Sequence, residues 1–253
     1  MENIKGKNFF IMGIANEKSL AYGCASKLAK AGANLYFSYP NEAIEKRIKP
    51  IAESLGFPKN VFVCDVEKDS DINKLNEFVP NLDGFIHSVA FADKSDLEGA
   101  FSNTTRQGFT KALDVSCYSF IGSCRALKSK FNPYASIVTM SYLGGVRVVP
   151  NYNIMGVAKA ALECSVRYLA LEFGQEKKVR VNAISAGPVR TLAASGVKGL
   201  RGMIDTFAQR SPIPEAIDNE DVGSSCLFLM SDLSKHITGE TLYVDSGYNI
   251  LGA

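Results

Sequence analysis

Short apolar runs alternate with longer stretches of helical periodicity along almost the whole chain. The first run covers 7–14 and ends at a glycine-containing turn, and six more follow at 34–39, 61–66, 83–90, 136–142, 179–186 and 241–245. Helical patterns lie between them at 19–32, 41–55, 70–79, 104–130, 152–173 and 219–231. Continuous apolar strands separated by helices are typical of a parallel sheet that is covered on both faces. The pattern predicts a doubly wound α/β fold of seven mostly parallel strands, with ligands at the carboxyl ends of the strands.

One stretch departs from this alternation. Residues 187–215 contain glycine or proline at seven positions, namely Gly187, Pro188, Gly196, Gly199, Gly202, Pro212 and Pro214. Because the stretch follows a strand end, it is a candidate lid over the site, near 190–212. The alternative is that this stretch is an ordinary surface loop. We find no linker, repeat or low-complexity tract, so we expect a single domain over 1–253.

Bulk composition narrows the function classes. The 253 residues are 46% hydrophobic and 21% charged, which is ordinary for a globular protein, and the formal net charge is only +2. The charges are not clustered, so we expect no nucleic acid partner and no anionic membrane surface. No apolar run approaches the roughly 20 residues that span a bilayer.

Cysteine and histidine usage points to a reducing compartment without a metal site. The six cysteines show no C-x-x-C pair or metal-ligand spacing, so we expect buried, reduced thiols in a cytoplasmic protein. Only two histidines occur, His87 and His236, and they are far apart. This argues against a zinc site or a histidine-based triad, and we expect no bound metal.

The first strand leads into a turn and a helix N-terminus, which together form an anion site in many proteins. Ser19 is the expected N-cap, with its hydroxyl accepting a bond from an amide of the first helical turn. Gly13 and Gly23 leave room for close approach of backbone and ligand. The glycines do not fit G-x-G-x-x-G. On these residues alone, a phosphate loop and a plain strand-to-helix turn are equally supported.

A tyrosine and a lysine, Tyr152 and Lys159, are separated by six residues. If the segment is helical, their Cα atoms lie on one face, about two turns and roughly 10 Å apart along the axis. This spacing suits two side chains that bind different parts of one ligand, a phenol that donates a proton and an ammonium that binds a ribose. Taken alone, the pair favours an amphipathic helix with an exposed lysine.

Several motifs together carry a family resemblance. They are Gly13-x5-Ser19-x3-Gly23, the run 141–144 with Tyr142, the run 150–153, Tyr152-x6-Lys159, the run 182–188 and the run 190–196. Together they resemble the bacterial enoyl-acyl-carrier-protein reductases, a divergent branch of the short-chain dehydrogenase/reductases. Ordinary members of that superfamily carry Tyr-x3-Lys and a catalytic serine. Here the spacing is longer, and Tyr142 stands near the expected position of that serine.

The resemblance implies a Rossmann-like domain that reduces the trans-2 double bond of an enoyl thioester on acyl carrier protein. Tyr152 is then the donor at the thioester oxygen, and a nearby ammonium is expected to favour its ionised form, lowering its pKa. Lys159 holds the nicotinamide ribose. Tyr142 lines the substrate side, although an aromatic ring that merely closes the strand end is the alternative.

The resemblance also assigns cofactor contacts. Those around the pyrophosphate are Gly13, Ile14, Ala15, Ser19 and Leu20. Asp65 and Val66 hold the adenine ring, and Ser88, Val89 and Ala90 lie beside the adenosine ribose. Thr191 and Ala193 meet the pyrophosphate and the nicotinamide end, and Ile184 packs near the nicotinamide.

The residues after the second strand favour NADH over NADPH. No acidic side chain stands at the strand end to bind a ribose 2′-hydroxyl in the usual way, but no cation stands there either. The nearest cationic side chains in the sequence are Lys46 and Arg47, on the next helix. A 2′-phosphate without an adjacent cation is poorly compensated, and Pro40 removes a backbone donor.

The resemblance further implies a homotetramer and an acidic carrier-protein partner. Lys198 and Arg201 match basic positions associated with that partner, although solvated surface cations are an equal alternative.

Two other functions stay open. One is a carbonyl (ketoacyl) reductase, against which Tyr142 and the long Tyr–Lys spacing argue. The other is a nucleotide-binding module that has lost catalysis, against which the intact Tyr152 and Lys159 argue.

Overall fold

A seven-stranded, fully parallel sheet forms the centre of the described part of the chain. The computed structural model describes residues 4–192 and 199–252, with Leu200 and Arg201 described by backbone only. The strands are β1 Asn8–Met12, β2 Asn34–Tyr39, β3 Val61–Val63, β4 Leu82–His87, β5 Phe131–Tyr142, β6 Arg180–Ala186 and β7 Thr241–Val244. Their order in the sheet is β3-β2-β1-β4-β5-β6-β7, and every pairing is parallel. The predicted doubly wound α/β fold is confirmed.

Helices cover both faces of this sheet. They are α1 Leu20–Lys30, α2 Glu42–Ser54, α3 Asp69–Asn73, α4 Leu75–Phe78, α5 Lys94–Leu97, α6 Arg106–Leu113, α7 Ser119–Leu127, α8 Asn153–Lys177, α9 Leu200–Arg210 and α10 Asn219–Met230. A π-helical turn, Asp114–Tyr118, joins α6 to α7. Among the described residues, no helix is both long enough and apolar enough to cross a membrane.

Alternate residues of the strands feed two separate hydrophobic cores. In β1, Phe9 and Ile11 join the core beneath α1 and α10, whereas Phe10 and Met12 join the core beneath α7 and α8. This is the expected result of a side-chain period of two in a sheet that is buried on both faces. All six cysteines are free, and all but Cys164 are buried.

The structure corrects several predicted boundaries. The strand patterns at 61–66 and 83–90 end earlier, at Val63 and His87, and the chain then leaves the sheet as loops. The helical patterns at 70–79 and 104–130 are each interrupted, the first between α3 and α4 and the second by the π turn. Apolar periodicity cannot separate a strand from a buried loop that continues it, which explains the two shortened strands.

Gly23 has a different role from the predicted one. A Cβ atom on Gly23 would lie 1.8 Å from the carbonyl oxygen of Asn219, and one on Gly223 would lie 2.4 Å from the carbonyl oxygen of Gly23. These two glycines therefore let α1 and α10 approach each other closely. Gly23 serves helix packing and not the approach of a ligand.

Candidate active site

A cavity of about 790 Å³ opens at the carboxyl ends of the strands. Its walls come from the ends of β1, β4, β5 and β6, from α8 and from α9. Because β1 and β4 leave the sheet in opposite directions at their carboxyl ends, this is the position at which doubly wound folds bind their ligands.

Most of the predicted site residues line this one cavity. They are Gly13, Ile14, Ala15, Ser19, Leu20, Val66, Ser88, Val89, Ala90, Tyr142, Tyr152, Lys159 and Thr191. Asp65 and Ile184 lie outside the lining. The Asp65 carboxylate pairs with Lys68 at 3.1 Å, and Ile184 is fully buried in the core beneath α1 and α10. Ala193 lies outside the described residues.

Gly13 shapes the phosphate end of the cavity. Its φ angle is +102°, and a Cβ atom there would lie 2.1 Å from the carbonyl oxygen of Ser88. The amide of Ser88 in turn donates to the carbonyl of Met12 at 3.0 Å. Only glycine tolerates both the left-handed backbone and this contact, so the floor of the cavity is bare backbone that a dinucleotide can approach.

The Ser19 hydroxyl does not bond the first turn of α1 as predicted. Ser19 occupies the N-cap position, but its hydroxyl accepts the loop amides of Ala15, at 3.0 Å, and Asn16, at 3.1 Å. The side-chain amide of Asn219, at the start of α10, donates to the carbonyl of Ser19 at 3.1 Å. Ser19 therefore fixes the loop around the cavity, and the first turn of α1 is left uncapped by its side chain.

Lys159 brings a positive charge into a desolvated wall of the cavity. It is 6% exposed, and its ammonium donates to the carbonyl of Met140, at the end of β5, at 2.7 Å. Burial lowers the pKa of Lys159 to about 8. At neutral pH the group still carries its proton and has donors for a ligand in the cavity.

Tyr142 and Tyr152 meet across the cavity. Their ring centroids are 4.8 Å apart at an interplanar angle of 63°, an edge-to-face contact. Gly144 makes this possible, because a Cβ atom there would lie 2.4 Å from the Tyr152 ring. The two aromatic side chains come from different elements, the end of β5 and the start of α8.

The acidity of Tyr152 differs from the sequence expectation. Burial raises the pKa of Tyr152 well above its ordinary value, and Tyr142 and Glu163 add to the effect in the same direction. Burial likewise raises the pKa of Tyr142 to about 12. The expected lowering of the Tyr152 pKa by a nearby ammonium is therefore wrong, because burial is the largest influence on this phenol and acts in the opposite direction. Both phenols stay protonated through the neutral range.

Helix α9, which lies within the stretch predicted as a lid, contributes to the wall of the cavity. Met203 of α9 lines the cavity, and the Tyr142 hydroxyl donates to its Sδ at 3.3 Å. Behind it, the rings of Phe207 and Tyr248 are 5.1 Å apart. The predicted lid residues 193–198, including Lys198, lie outside the described residues, as does the side chain of Arg201.

Sequence reasoning missed part of the lining. Phe91, Leu97 and Met155 all line the cavity, and helix α5 was not predicted at all. Phe91 lies in the loop after β4, so its position after a strand end was an available signal. Met155 also had one, because it lies between Tyr152 and Lys159 on the same helix.

The adenosine end of the cavity carries no acidic side chain among the described lining residues. Ser38, Pro40 and Ile44, at and beyond the end of β2, line it. The nearby Glu45 accepts the Tyr39 hydroxyl at 2.9 Å and pairs with Lys49 at 2.7 Å. With the backbone floor at Gly13 and the buried ammonium of Lys159, this apolar end fits a nicotinamide dinucleotide.

Comparison with known proteins decides the family. The sequence profile described as enoyl-(acyl carrier protein) reductase matches residues 13–249. The chain belongs to the enoyl-acyl-carrier-protein reductase family. Among relatives in this family, the enoyl-[acyl-carrier-protein] reductase [NADH] FabI of Nostoc sp. is 48% identical, with all of both chains covered. That of Escherichia coli is 45% identical over 98% of this chain and 95% of its own.

Solved structures of family members agree with this assignment. The NADH enoyl-acyl-carrier-protein reductase of Aquifex aeolicus superposes with a TM-score of 0.95 at 43% identity, covering 99% of both chains. The Bacillus cereus enzyme, solved with NADP+ and indole naphthyridinone, gives a TM-score of 0.96 at 43% identity and full coverage of both chains. The family resemblance predicted from the motifs is confirmed.

Proposed function

We propose that this chain reduces the trans-2 double bond of enoyl thioesters on acyl carrier protein with NADH, the last step of the fatty-acid elongation cycle. The observation that carries the proposal is the edge-to-face pair of Tyr142 and Tyr152, with Lys159 in the same cavity. An aromatic pair in place of the serine and tyrosine of carbonyl reductases suits an extended, conjugated thioester. Bound NADH supplies the hydride that reaches the β-carbon.

Tyr152 is the donor at the thioester oxygen. Hydride addition at the β-carbon pushes negative charge onto that oxygen, and a donor already in place stabilises the charge as it develops. The raised pKa of Tyr152 keeps its phenol protonated and able to donate. Tyr142 forms the wall against which the thioester and the Tyr152 ring pack.

Lys159 and the β1–α1 loop hold the cofactor. The Lys159 ammonium has donors beyond the one that bonds the Met140 carbonyl, and these would bind the ribose hydroxyls beside the nicotinamide. Gly13, Ile14, Ala15, Ser19 and Leu20 would border the pyrophosphate. Ser88, Val89 and Ala90 would border the adenosine ribose, Val66 the adenine, and Thr191 the nicotinamide end.

The preference for NADH follows from the end of β2. A 2′-phosphate there meets Pro40 and Ile44, which offer no charge, while Lys49 is engaged by Glu45. A phosphate that is desolvated without a cation binds poorly.

The assembled protein is proposed as a cytoplasmic homotetramer of single-domain chains spanning 1–253, each with a lid near 190–212. Several apolar residues on the helices after β4 and β5 are buried within the single chain and so do not support an interface, namely Val115, Phe120, Leu162, Val166 and Leu169. Tyr168 and Leu171 on α8 do support an interface, since they are 74% and 62% exposed.

Acyl carrier protein is the proposed partner, with Lys198 and Arg201 as its basic contacts.

The test is oxidation of NADH by the purified protein, followed as loss of reduced-nicotinamide absorbance. Crotonyl-acyl-carrier-protein and acetoacetyl-acyl-carrier-protein are compared, with NADPH in parallel and Tyr152→Phe as the matched variant. We expect turnover of the crotonyl thioester with NADH, and a loss of about 100-fold or more in kcat for Tyr152→Phe without loss of NADH binding.

Two outcomes would contradict the proposal. Turnover of the acetoacetyl thioester alone would identify a carbonyl reductase. NADH binding without turnover of either thioester would identify a nucleotide-binding module.

A further inference from the structure

A buried carboxylate that the proposed mechanism does not use lies directly behind the site. Glu163 is on α8, one turn after Lys159, and is 7% exposed. Its Oε1 atom accepts the hydroxyl of Ser141 at 2.5 Å. Ser141 is the residue before Tyr142 in β5, is itself buried and lines the cavity.

Two bonds therefore tie the carboxyl end of β5 to α8. Lys159 donates to the carbonyl of Met140, and Ser141, the next residue of the strand, donates to Glu163. They run in opposite senses, since in one the helix side chain donates and in the other it accepts. Tyr142 follows both, so the position of its ring depends on where this end of the strand is held.

The turn after β5 closes over the same carboxylate. A Cβ atom on Gly145 would lie 3.2 Å from Oε1 of Glu163, and one on Gly144 would lie 2.4 Å from the Tyr152 ring. Two consecutive residues of this turn thus lie against Glu163 and against Tyr152. A displacement at Glu163 is transmitted to both tyrosines through bonded neighbours and close contacts.

Resting on the proposed function, we propose that Glu163 is a positioning residue for enoyl reduction. Through the Ser141 hydroxyl it fixes the end of β5, and with it the edge-to-face geometry of Tyr142 and Tyr152. Glu163 does not touch the substrate; it acts through Ser141. Small misplacements of reacting groups reduce rate steeply, whereas cofactor affinity depends on other contacts.

The sheet offers a matched control for this bond. Ser185 in β6 is the register partner of Ser141, and at 1% exposure it is equally buried. Within the described residues, its hydroxyl has no hydrogen-bond partner, and it does not line the cavity. Ser185→Ala therefore removes the same atom as Ser141→Ala, one strand away, without breaking a bond to Glu163.

The experiment measures kcat, KM for crotonyl-acyl-carrier-protein, the Kd of NADH and Tm for five variants. Ser141→Ala and Glu163→Ala are each expected to lower kcat about tenfold, the size of one hydrogen bond to a charged group, with the NADH Kd within about twofold. Glu163→Gln keeps an oxygen acceptor and is expected to stay within about threefold of wild type. The double variant Ser141→Ala/Glu163→Ala is expected to be no slower than Glu163→Ala, because both single changes break the same bond.

Several outcomes would overturn the inference. One is an equal kcat for Ser141→Ala and Ser185→Ala. A second is a double variant whose loss of kcat is the product of the two single losses. A third is a loss of kcat in Glu163→Gln as large as that in Ser141→Ala. If Glu163→Ala does not fold, the comparison of Ser141→Ala with Ser185→Ala carries the test, and equal kcat values for these two variants overturn the inference. Inactive wild-type protein would instead contradict the proposed function itself, so the two failures are distinguishable.

Discussion

Lys159 carries a charge at a position where the fold disfavours charge. Burial is the main cause of its pKa of about 8, whereas an unfolded lysine titrates near pKa 10.4. The protonated form is therefore less stable in the folded chain than in the unfolded chain. We infer that the ammonium is retained for binding the cofactor and not for stability.

Replacing this lysine tests that interpretation. Lys159→Met is expected to raise the free energy of unfolding at pH 7 by about 1 kcal/mol, as relief of desolvation exceeds the loss of the bond to Met140. NADH binding is expected to be lost. Urea unfolding with parallel NADH titration measures both.

The pH dependence gives a second readout of the same change. Between pH of about 8 and about 10.4 the unfolded wild-type chain binds more protons at this lysine than the folded chain, so its stability rises with pH in that window. Lys159→Met lacks this contribution. A variant that is less stable than wild type at pH 7 would contradict the interpretation.

At the scale of elements, the absence of side chains at the crossing of α1 and α10 sets how closely these two helices approach. Gly23 of α1 and Gly223 of α10 face each other so closely that no Cβ atom fits at either position. Asn219, at the start of α10, bonds the carbonyl of Ser19 in the site loop. The crossing therefore sets the position of the loop as well as that of the helices.

An added methyl group at this crossing is expected to separate the two helices. Gly23→Ala should lower the free energy of unfolding by about 2–4 kcal/mol, because the backbone oxygen of Asn219 cannot yield as a flexible side chain would. Gly202→Ala in α9 is the control, since nothing lies within 4 Å of its added Cβ. It should be neutral or stabilising by up to about 1 kcal/mol. Urea midpoints that do not differ between the two variants would contradict this account.

Element boundaries show where sequence patterns stop being informative. The extents of β2, α2, α8 and α10 agree with the predicted segments to within a few residues, because each is bounded by polar or turn-forming positions. The split between α3 and α4 and the π turn before α7 leave no mark in the apolar pattern. Apolar spacing specifies which face is buried, but not small changes of helical pitch.

On the scale of the whole molecule, one apolar area on α8 lacks a covering layer in the single chain. Tyr168 and Leu171 lie three residues apart, so they share a face of the helix. Glu172 and Glu176 nearby pair with Lys128 at 2.8 and 2.7 Å. An apolar centre with ion pairs beside it resembles the anatomy of a subunit interface.

A charge placed at this face tests the proposed homotetramer. Leu171→Glu is expected to shift the protein to smaller species in analytical ultracentrifugation, because a carboxylate buried at an interface is strongly disfavoured. Val63→Glu, on the far edge strand β3, is the control and should leave the mass unchanged. An unchanged mass for Leu171→Glu would place any interface elsewhere.

The sequence by itself determined the sheet, its helical layers, the family and most of the cavity lining. It did so because parallel strands end at a common edge, and because Tyr152 and Lys159 are close in the chain, at the N-cap and in the second turn of α8. Such relations depend only on local geometry and chain order.

Only the tertiary structure decided the partners of Ser19, Gly23 and Ser141, and the acidity of Tyr152. The hydroxyl of Ser19 has local partners in its own loop, whereas its carbonyl, Gly23 and Ser141 all meet atoms from distant segments, such as Asn219 at the start of α10 or Glu163 on α8. Tyr152 is the clearest case, because its neighbours in sequence indicate an attracting ammonium whereas burial raises its pKa. Desolvation and steric exclusion are properties of the packed molecule, and a linear pattern does not encode which atoms will surround a given group.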